Sequence, residues 1–187
     1  MSFAAFDGIR RVPPARNEPV RSYAPNSVER HSLMLRLDKM AQEQEKIPLV
    51  IGGKHIHTQE TGRATMPCDH QHVLATYSKA TPEHVEQAIR AAADASKDWA
   101  SWRWDDRAAV FLRAAELLTT TWRNTVLAST MLGQAKTVHQ AEIDAAAELI
   151  DFWRFNVQFA QELYAEQPLS DNSMWNQLDY RPLEGFV

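Results

Sequence analysis

A chain of 187 residues with 44% hydrophobic and 24% charged residues is sized for one domain with room for an added arm, and can hide roughly 70% of its unfolded surface. A net charge of −4, from 20 basic and 24 acidic residues, argues against a basic nucleic-acid binder, because no surplus of Lys and Arg is present to replace phosphate counterions. A single cysteine, Cys68, excludes an internal disulfide and a Cys-rich zinc module, and six glycines, none in GxGxxG or GxxxxGK[ST], leave no phosphate-cradling loop.

Residues 1–25 read as an extended arm. Arg10, Arg11, Arg16 and Arg21 give it some character of a mitochondrial leader, but Pro13, Pro14, Pro19 and Pro25 break any amphipathic helix there. No stretch of about 18 apolar residues occurs, so no membrane span is expected. The lone thiol fits a reducing cytosol, so a cytoplasmic location is expected, with the mitochondrial matrix as the alternative. A helix is predicted from Ser27 to Glu45, with Val28, Leu33, Leu37 and Met40 on one face. Two or three short strands follow. They lie around Leu49–Ile51, Lys54–Thr58 and Met66–Tyr77, with turns at Gly52-Gly53 and Glu60-Thr61-Gly62.

Thr81-Pro82 opens a helix with a buried stripe of Val85, Ala88, Ile89 and Ala92. Trp99, Trp102 and Trp104 then fall in a short connection. Asp105 or Asp106 caps the next helix, through Ala108, Phe111, Leu112, Ala115 and Leu118, and another runs from Thr121 to Leu132 and stops at Gly133. The longest predicted helix spans Val138 to Ala165, and at 100° per residue Val138, Ala145, Leu149, Phe152, Trp153 and Ala160 share a face. After Pro168 comes a polar loop, and Leu178 to Val187 begins to alternate like a strand.

Four groups of residues invite a chemical reading. His55 and His57 on one strand, with Cys68, His70 and His72 on the next, would gather zinc-type ligands if the two strands paired; an exposed polar hairpin is the simpler reading. Glu142 falls within the apolar stripe of the long helix, with Asn156 further along it. A carboxylate there pairs with a buried cation, sits at the stripe edge near the helix start, or faces a polar cavity or ligand. The three tryptophans fit core packing or a subunit contact better than a ligand cleft. Cys68 beside Asp69 makes a poor nucleophile, because an adjacent carboxylate raises a thiol pKa.

Several segments together resemble one family. The stretch Met131–Asn156, with Gln-Ala-Glu-Ile-Asp at 140–144, resembles the corresponding helix region of the Δ1-pyrroline-5-carboxylate dehydrogenases, a branch of the aldehyde dehydrogenase superfamily. Ile51-Gly-Gly-Lys54, Lys79–Val85, Asp106–Leu118 and Tyr180–Val187 are similar to the same family in the same order.

The resemblance implies an α/β, aldehyde dehydrogenase-like fold, present here as an incomplete N-terminal portion. It is expected to be mostly helical, with a small β-hairpin region and the start of a C-terminal strand. Residues 1–46 would be an arm with one helix, and 47–187 the N-terminal part of an NAD-binding domain. The implied chemistry is NAD-dependent oxidation of L-glutamate γ-semialdehyde to glutamate in proline catabolism. The implied assembly is a homo-oligomer at full length, with no nucleic-acid or membrane partner. The family's nucleophilic cysteine, water-activating glutamate and cofactor motifs are expected beyond Val187, so Cys68 carries no catalytic role and the chain is expected to be inactive alone. Glu142 matches a family glutamate that lines the aldehyde pocket. A non-catalytic helical interaction module on the same scaffold is the alternative.

Overall fold

The computed structural model describes residues 11–185. The first ten residues of the expected arm, Arg10 of its four arginines among them, and the last two of the expected terminal strand lie outside the described residues.

Residues 11–24 run without regular structure, as their prolines require. Helix α1, Val28–Gln42, begins at Ser27, whose side chain accepts the Arg30 N–H. Leu33 is buried and Leu37 and Met40 pack beside it, but Val28 points to solvent. The helix ends before Glu45 because Glu45–Ile47 forms strand β1, which pairs parallel with a later strand.

Strands β2 (Leu49–Ile51) and β3 (Lys54–Ile56) form a hairpin around Gly52 and Gly53. Their φ values of 55° and 75° are what a tight hairpin turn of this twist needs. Strands β4 (Thr61–Met66) and β5 (Asp69–Ser78) form a second, longer hairpin, and the sheet order is β1-β5-β4. Thr61-Gly62 is therefore strand rather than turn. Gly62 stands opposite Tyr77, and a Cβ there would lie 2.3 Å from the Tyr77 ring, so glycine marks a close approach within a strand.

Helix α2, Pro82–Ser101, starts after Thr81 as expected, but none of its residues is buried. Val85 and Ile89 stay exposed, so the predicted stripe is not covered among the described residues. Trp99 belongs to α2 and Trp104 opens α3, Trp104–Thr119. Arg103 is the N-cap of α3, and Asp105 and Asp106 lie in its first turn, where the helix dipole favours negative charge. Helix α4, Arg123–Gln134, runs through Gly133 and is capped by Ala135 in the left-handed conformation, φ 54°.

The long helix is continuous but not uniform. Helix α5 (Val138–Ala141) passes into a π-helical turn, Glu142–Ala147, and then into α6, Glu148–Ala165. A wider turn shifts every later side chain by about one position. Ala146 and Ala147 within the turn and Ile150 and Val157 after it are buried, with Trp153 half-buried, in place of the series 145, 149, 152 and 156 that a strict α-helix would turn inward. Phe152 and Asn156 accordingly face outward.

Two small apolar clusters hold these pieces. Tyr23, Leu33, Leu127, Ala128, Ala141 and Ala146 join the arm, α1, α4 and the long helix, and Ala115, Leu118 and Ile150 join α3 to α6. Residues 178–185 form no strand among the described residues. They fold back on α6 instead, with the Tyr180 hydroxyl donating to the Leu163 carbonyl at 3.1 Å.

Candidate functional site: a buried charge cluster at the π-turn

Glu142 starts the π-turn and is fully buried. Its Oε1 accepts from the Arg21 backbone N–H at 2.8 Å and from Arg123 Nη2. Its Oε2 accepts from the Tyr23 hydroxyl at 2.8 Å and from Arg123 Nε at 3.2 Å. A carboxylate offers about four acceptor positions, so the chain's own donors fill them all.

Arg123, at the first position of α4, is equally enclosed. Besides Glu142 it donates to Glu18 Oε1 at 2.6 Å and to the Pro19 carbonyl at 3.2 Å. Glu18 also accepts from Arg154 Nη1 at 2.8 Å and from the Thr119 hydroxyl at 3.3 Å. The cluster thus sets two carboxylates against two guanidinium groups, which is the condition for burying charge at tolerable cost.

The electrostatics follow from this pairing. Burial pushes the Glu18 carboxyl up, but hydrogen bonds and charge from Arg123 and Arg154 outweigh it and hold it below the usual carboxylate value. Burial, reinforced by the neighbouring Glu142 carboxylate, pushes the Tyr23 phenol up to about 12. Burial disfavours charge on Arg123, yet Glu142 and Glu18 raise its pKa above the ordinary arginine value.

Sequence pattern singled out Glu142 but missed Glu18, Tyr23, Arg123 and Arg154. Glu18 sits in a stretch without periodicity. The available signal was Arg123 at the start of a helix, where a cation is disfavoured by the dipole and needs a nearby anion.

The other candidates separate. His55 lies on β3 and His70 and His72 on β5, in different sheets, so strand pairing does not bring them together. His72 Nε2 instead lies 2.8 Å from the Ala41 carbonyl oxygen. Cys68 is not on a strand but on the exposed turn between β4 and β5. Among the described residues no group of three or more His, Cys, Asp or Glu is placed to hold a metal.

The tryptophans are not core residues. Trp99 and Trp104 border an open cavity of about 390 Å³ with Phe111, Trp153 and Tyr164, while the Trp102 ring lies 5.4 Å from that of Trp99, tilted by 41°. A second cavity, of about 310 Å³, lies along α6 between Phe152, Phe155, Asn156 and Phe159, with Glu148 at its edge. A glycine-rich phosphate loop for a dinucleotide is not formed among the described residues, and Gly185 follows no strand. Gly52 and Gly53 form a hairpin, Gly62 is pressed on Tyr77 and Gly133 is inside α4, so none opens a strand-to-helix phosphate loop.

Comparison with known proteins identifies the scaffold. Residues 55–187 match the aldehyde dehydrogenase family. The chain belongs to that family. It is 46% identical over 179 residues to the Δ1-pyrroline-5-carboxylate dehydrogenase of Agaricus bisporus, covering 95% of this chain and 33% of that protein. It is 44% identical over 171 residues to the mitochondrial human protein of the same name, covering 91% and 30%. The solved structure of the Mycobacterium tuberculosis Δ-pyrroline-5-carboxylate dehydrogenase bound with NAD superposes with a TM-score of 0.94 at 49% identity, over 97% of this chain and 34% of that one. The chain therefore spans about a third of the length of these relatives. Its fold is aldehyde dehydrogenase-like, and no helix among the described residues is long and apolar enough to cross a membrane.

Proposed function

We propose that this chain is the N-terminal part of an NAD-dependent dehydrogenase that oxidises L-glutamate γ-semialdehyde, formed from Δ1-pyrroline-5-carboxylate, to glutamate in proline catabolism. The observation that carries this reading is the close superposition, over nearly the whole chain, on a structure of that named enzyme. Residues 1–46 are then an arm with one helix, and residues 47–187 the first part of the cofactor-binding domain. The full-length protein works as a homo-oligomer on a small aldehyde. Its location is cytoplasmic, with the mitochondrial matrix as the alternative that the names of the Emericella nidulans and Bos taurus relatives favour.

By itself the chain lacks the means to turn over. Aldehyde oxidation of this kind needs a thiolate, a base to activate water and a hydride acceptor, and Cys68 stands on an exposed hairpin turn. The test is NADH formation from Δ1-pyrroline-5-carboxylate by purified chain of verified mass. No turnover is expected, and measurable turnover overturns the reading. The alternative, a non-catalytic helical interaction module, is favoured by the exposed Phe152, Phe159 and Leu163 on α6. A monodisperse chain in sizing chromatography supports the module, and aggregation supports a partial enzyme.

For Glu142 we propose the role of a structural anchor, because its carboxylate is already saturated. Direct contact with an aldehyde, the role the resemblance implies, is the second reading. It is favoured by the π-turn at Glu142, since such turns recur at functional sites. It requires Tyr23 or the Arg21 amide to give up its place.

A further inference from the structure

The contacts of the arm with the long helix follow a rule. Val12, Ala15, Glu18 and Arg21 each donate a backbone N–H to a side-chain oxygen of the π-turn or α6. The acceptors are Gln161, Gln158, Asp151 and Glu142, at distances of 2.7, 2.8, 2.6 and 2.8 Å. Every third amide of the arm is used, and the arm runs antiparallel to the helix.

A period of three is that of the polyproline II conformation, which Pro13, Pro14 and Pro19 favour. The lengths agree as well. Nine residues at the polyproline rise span about 28 Å, and nineteen helical residues from Glu142 to Gln161 also span about 28 Å. Side chains reinforce this docking: Asn17 Nδ2 also donates to Asp151 Oδ2 at 2.7 Å, Glu18 pairs with Arg123 and Arg154, and the Tyr23 hydroxyl donates to Glu142. Pro13, Pro14, Arg16 and Val20 are exposed, and only Glu18 and Tyr23 are buried anchors.

We propose that residues 11–23 are a strap that the helix reads through its backbone amides, and that docking of this strap sets the orientation of the Glu142 carboxylate. The kind of segment recognised is an extended, proline-punctuated chain with a free N–H at every third residue, and the occupant is this chain's own arm. Arg21, through its amide, and Tyr23, through its hydroxyl, are positioning residues for Glu142. Any catalytic meaning of that positioning rests on the aldehyde dehydrogenase reading above. The strap itself is tested without it.

The experiment is amide hydrogen exchange by NMR on the whole 187-residue chain. Ala15→Pro removes one N–H from a position that already follows two prolines, Pro13 and Pro14, and Ala15→Val keeps the N–H while enlarging the side chain. Exchange of the Val12 and Glu18 amides is expected to quicken about fivefold in Ala15→Pro, the worth of one neutral hydrogen bond, and to stay unchanged in Ala15→Val. Gln158→Leu should reproduce the effect, and combining it with Ala15→Pro should add nothing further. Equal exchange in the two Ala15 variants, or additive effects of Ala15→Pro and Gln158→Leu, overturns the backbone reading.

The second measurement addresses Glu142. The Tyr23 phenol, identified by its loss in Tyr23→Phe, should titrate nearer the ordinary tyrosine value in Asp151→Leu, which breaks the rung nearest Glu142. It should return to its high value in Asp151→Asn, which keeps an acceptor oxygen. A Tyr23 phenol that titrates alike in the parent, Asp151→Leu and Asp151→Asn refutes the positioning role. Absence of aldehyde oxidation by the full-length protein would refute the enzymatic reading and leave the strap standing.

Discussion

Arg123→Met tests whether the charge cluster holds the fold together. The wild-type guanidinium is 1% exposed and satisfies Glu18 and Glu142, whose side chains are 5% and 0% exposed. In the variant Arg154 still reaches Glu18, but it is 25% exposed and makes no ion pair with Glu142. One carboxylate is then left buried with only the Tyr23 hydroxyl and the Arg21 amide. Removing one partner of a buried pair costs about 3–5 kcal/mol, a large share of the roughly 5–15 kcal/mol that holds a typical domain. Urea unfolding followed by tryptophan fluorescence measures this directly, provided the slope stays constant. Arg123→Lys keeps the charge but loses the two-pronged contact with Glu142, and should cost about 1–2 kcal/mol. Adding Glu142→Leu to Arg123→Met removes the stranded charge and should recover about 2 kcal/mol. A loss below about 1 kcal/mol for Arg123→Met, the range of an exposed pair, refutes the argument. So does strict additivity of Arg123→Met and Glu142→Leu.

Two other predictions follow from the same structure. Glu18 titrates below its ordinary value when folded, so its pairing stabilises the chain fully above about pH 4.5 and the contribution is lost as pH falls through the lower folded value. Acid unfolding monitored by circular dichroism should therefore be less steep in Glu18→Gln than in the parent, and identical acid profiles would refute this. Ala135 caps α4 with φ 54°, a conformation that costs an ordinary residue about 1 kcal/mol and glycine nothing. Ala135→Gly should raise the thermal midpoint by about 2–4 °C, and a lower midpoint would show that the cap is not strained.

The helices from α2 onward were legible because their apolar spacing and N-terminal residues are local signals. Thr81-Pro82 marked the start of α2, and Val138 and Ala165 bounded the last helical run correctly. The failures have non-local causes. Strand β1 is three residues long and exists because β5 offers it a parallel edge, which no window around Glu45 reveals. Gly62 looks like a turn residue until Tyr77 is placed across from it. Gly133 looks like a helix stop, but α4 continues one residue beyond it and Ala135 takes the left-handed cap. Glu18 and Tyr23 lie in an arm whose structure is dictated by a helix more than a hundred residues later.

The π-turn links the two halves of the site. With uninterrupted α geometry, the face that places Val138 and Ala141 in the core would later turn Leu149, Phe152 and Asn156 inward. The wider turn starts at Glu142, so Glu142 keeps the inward direction of α5 while everything after Ala145 is rotated by about one residue. Ile150 and Trp153 then meet α3 and its neighbours, Val157 is buried, and Phe152, Phe159 and Glu148 face outward. One local irregularity thus buries a carboxylate on one side and opens an aromatic face on the other. The π-turn coincides with the point where the arm supplies two donors to the Glu142 carboxylate, the Arg21 amide and the Tyr23 hydroxyl. The irregular turn and the strap therefore meet at one residue: the turn sets the direction of the helix after Glu142, and the arm holds the Glu142 carboxylate at its start.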